Sequence, residues 1–202
     1  VGGFDIIVGN PPYDVYHQEK KSQIKFFRNS KTYTTALGGK LNAYKLFLAK
    51  SVTLLKPNGI LTKIFQNSFT ADKNAKDLRK FFIENTEIIQ IESFPERDNP
   101  NKRVFKSAKM SVCIMSICNK QIVENHYLKI NTHVDKSLKN YKKLNFLQKD
   151  AYKVDQEFFI FPTGVNEAEL KLFLKIKAKN FKTIYPYYGK SFDGEVSLTF
   201  DK

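Results

Sequence analysis

The run Phe4-Asp5-Ile6-Ile7-Val8, followed at once by Gly9-Asn10-Pro11-Pro12-Tyr13, restricts this chain more than any other stretch. A short, β-branched, nearly all-apolar segment reads as a strand buried on both faces, as in a parallel sheet. Two prolines then remove two backbone donors, fix φ twice and push Asn10 toward extended geometry. Pairing has to stop there. The expected product is a stiff corner at the carboxyl end of a buried strand, where open α/β sheets hold their ligands.

The groups at that corner suit one chemical task. Asn10 offers a carboxamide oxygen, Pro11 a carbonyl in a rigid turn, and Tyr13 a flat aromatic face. Two fixed acceptors beside a stacking surface would grip an exocyclic amino group on a planar ring. Such a nitrogen is a poor nucleophile because its lone pair is delocalised into the ring. Accepting both of its N–H bonds favours a pyramidal nitrogen and aims the lone pair at an incoming electrophile.

Asp5 to Tyr13 resembles the catalytic motif of S-adenosylmethionine-dependent amino-methyltransferases, in particular those acting on N6 of adenine in DNA. Three further stretches, Asn42-Ala43-Tyr44-Lys45-Leu46-Phe47, Leu54-Leu55-Lys56-Pro57-Asn58-Gly59-Ile60 and Asn67-Ser68-Phe69, are similar to the adenine-specific subfamily of type IIG restriction-modification enzymes. Gln66 departs from the family, which usually carries proline before Asn67-Ser68. The resemblance implies methyl transfer from S-adenosylmethionine to an adenine flipped out of double-stranded DNA. It assigns Asn10, Pro11 and Tyr13 to catalysis and Phe105 to packing against the target base, with Phe94 as second choice. It places Pro12 and Phe47 beside the cofactor; a core position is an equal reading for Phe47. It implies a prokaryotic, cytoplasmic enzyme that can be fused to a nuclease. No G-x-G cofactor loop occurs in the 202 residues, so the chain is expected to be an internal piece of a larger enzyme.

Periodicity supports an α/β fold. Helices are expected over Leu41 to Lys56 and Asp72 to Asn85, the second with Leu78, Phe81 and Phe82 inward and Arg79 and Lys80 outward. Strands are expected at Ile60 to Phe65, Ile88 to Phe94 and Met110 to Cys118, the last two as an antiparallel hairpin. This order resembles the C-terminal half of a Rossmann-like methyltransferase domain. Residues 1–120 are assigned to it, and 121–202 to an α+β segment entering a target-recognition domain. In that segment Tyr127 to Val134 alternates like a strand, 135–153 gives no clear element and Phe158 to Pro162 is extended. A helix is expected from Asn166 to about Lys179, with Leu170, Phe173, Leu174 and Ile176 on its buried side. Tyr188 to Lys202 resembles the entry to the recognition module.

The formal charge is +14, and of the 34 basic residues only Arg28, Arg79, Arg97 and Arg103 are arginine. Such a lysine excess suits phosphate neutralisation more than bidentate base reading. Residues 14–40 carry Lys20, Lys21, Lys25 and Arg28 among aromatics. They read equally as a DNA-backbone contact or as a disordered surface insertion. Cys113 and Cys118 face opposite sides of one strand, so they are not expected to pair. His17, His126 and His133 lack metal-ligand spacing, and no metal site is expected. No apolar run reaches membrane-span length. A glutamine-amide or RNA methyltransferase is the competing enzyme reading, and a DNA-binding fragment without catalysis the competing non-enzyme.

Overall fold

The computed structural model describes residues 2–16 and 21–179. The chain divides into two compact units, Val1–Glu167 and Ala168–Lys202. The first is built on one six-stranded sheet in the order β1-β2-β4-β3-β5-β6. Strand β1 (Phe4–Gly9) runs parallel to β2 (Leu55–Gln66). Strand β4 (Val112–Cys118) lies antiparallel between β2 and β3 (Glu87–Phe94), which confirms the expected hairpin. Strand β5 (Tyr127–His133) is parallel to β3, and β6 (Tyr141–Leu147) returns antiparallel along β5. Strands β1, β2, β3 and β5 therefore finish at the same edge.

One face of the sheet is covered. Helix α1 (Lys21–Asn29) belongs to a segment discussed below; α2 (Ala43–Leu54) and α3 (Lys76–Asn85) meet over the aromatic side chains that follow β2. Tyr44 of α2 stacks on Phe65, with ring centroids 5.6 Å apart and planes at 4°. Phe69 stands edge-on to Phe65, and Phe82 of α3 edge-on to Phe69. All four rings are fully buried, each contributing roughly 1.5–3 kcal/mol of apolar transfer energy.

The other face differs from expectation. Phe4, Ile6 and Val8 are 57, 65 and 73% exposed, so β1 is not buried on both sides. Among the described residues it is an edge strand with β2 as its one partner, and that face is largely open.

Residues 14–16 and 21–42 are folded rather than irregular. A bridge between Val15 and Asn42 and the bonds Tyr16 N–H to Leu41 O and Ala43 N–H to Asp14 O close the segment at its base. Phe27 of α1 meets Tyr16 and Tyr33 edge-on at 5.3 and 5.1 Å. Those ring contacts supply the miniature core that the polar composition of the segment concealed.

Arg79 also departs from its expected outward place. It is 0% exposed, and its guanidinium donates to the carbonyls of Phe69 (2.6 Å), Asp72 (2.8 Å), Phe158 (2.5 Å) and Phe159 (3.1 Å). These acceptors are loop carbonyls without ladder partners, and a fork of N–H donors satisfies them together. Gln148 makes a second such junction: it accepts from Ile88 N–H and donates to Ile83 O and Thr86 O. Through these bonds, and through β5 and β6, residues beyond 120 join the same sheet, and the expected boundary at 120 falls inside the first unit.

The stretch 135–153 supplies β6 and the short helix α4 (Ala151–Val154). Phe158 to Pro162 forms no strand, and Phe159 occupies the left-handed region at φ 54°. Helix α5 (Glu167–Ala178) forms where expected, but none of its residues is buried; Phe173 and Ile176 are both 48% exposed. Nothing among the described residues of that unit covers its apolar side. Tyr188 to Lys202 lies outside the described residues. No described helix is long and apolar enough to cross a membrane.

Candidate active site at the carboxyl edge of the sheet

The corner sits where β1 ends. Gly9 is the last residue in register with β2, opposite Lys63, and the prolines release the chain from the ladder. Asn10 is exposed, Pro11 buried, Pro12 exposed and Tyr13 half-buried. The Asn10 carboxamide takes no hydrogen bond among the described residues, so its oxygen is available.

Tyr13 folds back over the sheet. Its hydroxyl donates to Ile64 O at 3.4 Å, and its ring meets Phe105 edge-on at 6.2 Å. Burial, with the Cys113 thiol nearby, pushes the phenol up to about 12, so it stays protonated at neutral pH. Phe105 lies in the connection from β3 to β4, which leaves and re-enters the sheet at this same edge. Arg103 pins that connection by donating to Phe105 O (2.9 Å), Lys106 O (2.5 Å) and Arg97 O (3.2 Å).

Phe94 is at the same edge but is 5% exposed and stacked on His133 at 4.4 Å and 9°. His133 in turn holds Glu92 through Nε2 at 2.6 Å. Phe105, only partly buried, has the freer ring. Asn67, at the end of β2, accepts from Ser93 Oγ at 2.9 Å, tying the β2 and β3 ends together.

Phe47 is 45% exposed on the outer side of α2. Its ring, with Tyr16, Phe27, Tyr33, Leu46, Lys50, Ser51 and Leu54, lines a mostly apolar cavity of about 220 Å³. That volume and aromatic lining fit a flat heterocycle. On α1, Lys21, Lys25 and Arg28 are exposed at i, i+4 and i+7 and share one face; Lys20 lies outside the described residues. The structure thus brings Asn10, Pro11, Tyr13 and Phe105 to one edge. Lys63, at an inward position between Leu61 and Phe65 that the sequence reading did not single out, lies beside the corner, opposite Gly9.

An antiparallel β4 between the parallel strands β2 and β3, with a proline corner at the carboxyl edge, defines an α/β sheet of the methyltransferase type. A protein from Listeria monocytogenes, described as a class I S-adenosylmethionine-dependent methyltransferase, shares this fold with a TM-score of 0.51 at 18% identity, over 69% of this chain and 39% of its own. Residues 1–100 match the family model of the Eco57I restriction-modification methylase. The Type II methyltransferase M.HincII of Haemophilus influenzae is 30% identical over 122 residues, 60% of this chain and 23% of its own length. The Type II restriction enzyme and methyltransferase RM.Eco57I of Escherichia coli is 31% identical over 137 residues, 61% of this chain and 11% of its own. The chain spans less than a quarter of each of these curated relatives.

Proposed function

We propose that this chain forms the substrate-facing part of a restriction-modification methyltransferase that moves a methyl group from S-adenosylmethionine to N6 of adenine in DNA. The observation that carries the proposal is the corner itself: an exposed Asn10 carboxamide without a hydrogen bond among the described residues, a locked Pro11 and the Tyr13–Phe105 ring pair at one sheet edge. The Asn10 oxygen and the Pro11 carbonyl accept the two amino hydrogens of the base. Tyr13 stacks on its ring, and Phe105 packs against it from another side. The adenine must leave the helix stack to reach these groups. The cofactor supplies an electrophilic methyl group; Pro12 and Phe47 are the residues of this chain that border it. No strong base is required, because the nitrogen loses its extra proton readily after alkylation.

Lys21, Lys25 and Arg28 contact the DNA backbone beside the corner. Residues beyond the sheet lead to the module that selects the DNA sequence. Action on cellular DNA in a restriction-modification system places the enzyme in a prokaryotic cytoplasm. The test is Asn10→Ala in the full-length protein. Methylation of adenine should be abolished while DNA binding stays near wild type; undiminished N6-methyladenine formation would refute the proposal.

A further inference from the structure

Three long cationic side chains are buried in this unit, and two are saturated. Arg79 has four carbonyl acceptors, and Lys45, at 0% exposure, donates to Gly38 O at 2.5 Å and Asn74 O at 3.1 Å. Lys63 is the exception. It is 6% exposed on the covered face of β2, between Leu61 and Phe65. Its register neighbours are Gly9 and Met115, neither of which carries an acid. Among the described residues its ammonium has no hydrogen bond and no ion pair. What it does have is the ring of Phe47, 6.0 Å from Nζ to centroid.

The stem of Lys63 is buried, but Nζ is not one of the sealed, unpartnered polar atoms of the described residues; it opens beside Gly9, and partial burial lowers its proton affinity. A cation–π contact offsets only part of the cost of that partial burial. A Cβ at position 9 would lie 3.2 Å from Nζ, so Gly9 leaves the ammonium room directly before Asn10. Nζ thus stands free to donate to whatever occupies the space between the corner and Phe47. The phenyl face carries negative charge density and repels an anion, whereas a neutral flat heterocycle lies against it favourably. The aromatic lining of the adjoining cavity points the same way.

We propose that Lys63 is a ligand-binding residue of this site, donating a hydrogen bond to a ring nitrogen in the nucleoside part of the bound cofactor beside the ring of Phe47. The proposal rests on the reading of Pro12 and Phe47 as the cofactor's border. The test uses calorimetric titration of the full-length protein with two probes, S-adenosylhomocysteine and 5′-methylthioadenosine, which lacks the amino-acid carboxylate. Lys63→Met should weaken both by about tenfold or more, the scale of a lost charge-assisted hydrogen bond. Its ligand-free melting temperature should hold near the wild-type value, because the apolar stem is kept and the ammonium has no hydrogen bond or ion pair among the described residues. If that variant fails to fold, Lys63→Gln, which keeps an N–H donor, should fold and bind both probes more weakly than wild type. Unchanged affinity for both probes overturns the role of Lys63 and leaves the cofactor reading standing. Weakening for S-adenosylhomocysteine alone overturns the nucleoside assignment in favour of the carboxylate. Failure of the wild type to bind either probe overturns the cofactor reading, and this inference with it.

Discussion

The ring of Tyr13 meets the ring of Phe105 edge-on, with centroids 6.2 Å apart and planes at 66°. The first belongs to the proline corner after β1, the second to the connection between β3 and β4. Each was a candidate for holding the same base on separate grounds, and the fold sets them side by side. Edge-to-face pairs contribute roughly 0.5–1.5 kcal/mol beyond area burial. A double-mutant cycle on methylation kinetics with Tyr13→Ala and Phe105→Ala should show coupling of that order. Tyr13→Phe, which loses only the long bond to Ile64 O, should cost far less than Tyr13→Ala. Strict additivity of the two alanine variants would mean the rings do not act on one ligand.

Arg79 should be among the most sensitive positions for stability. Arg79→Met removes the donor of the Phe69, Phe158 and Phe159 carbonyls, leaving Asp72 O only the Ala75 N–H, and the expected loss is roughly 3–5 kcal/mol in urea unfolding. Arg79→Lys should recover little, since an ammonium cannot reproduce the planar fork. A loss below about 1 kcal/mol would show that water replaces the fork without difficulty.

Lys45 should make folding stability depend on alkaline pH. Burial lowers its pKa to about 8, against the attraction of Asp72 and Asp77, while an unfolded lysine titrates near its ordinary value. Between those limits the unfolded chain binds more protons, so this residue's contribution to stability rises with pH above about 8 and is penalised below it. The neutral amine still has N–H groups for Gly38 O and Asn74 O. Buried Tyr13 and Cys113 act in the opposite sense at high pH, since both are raised by burial. The measurement is therefore the difference between wild type and Lys45→Met. That difference should shift in favour of the wild type as pH increases from 8 toward 10; a flat difference would contradict the assignment.

The face of α1 that carries Lys21, Lys25 and Arg28 should govern affinity for DNA without choosing its sequence. Replacing each by Gln should weaken binding about uniformly across DNA sequences. The salt slope should fall by roughly one for every phosphate that is no longer neutralised. Titrations of the full-length protein at several salt concentrations check this. An unaltered slope in the triple variant would assign that face to plain surface.

The amino-acid sequence alone determined the local elements whose signals are covalent or periodic. Pro11 and Pro12 end β1 wherever it pairs, because a missing donor and a locked φ act without neighbours. The spacing of Tyr44, Phe47, Leu48, Ser51 and Leu55 predicted one face of a helix; Tyr44, Leu48 and Ser51 are buried in α2, Phe47 is 45% exposed and Leu55 belongs to β2. What only the tertiary structure decided was the fate of side chains whose partners are distant in the chain. Arg79 reads as a surface residue on its helix, and only loop carbonyls from residues 158 and 159 make its burial favourable. Phe4, Ile6 and Val8 read as interior, yet exposure is set by the layer above a strand and not by the strand. Residues 14–42 looked polar because three rings that find one another in space are diluted among lysines in sequence. The same holds for Lys63: its place in an apolar run was visible, but its want of an acceptor is a property of every element packed around it.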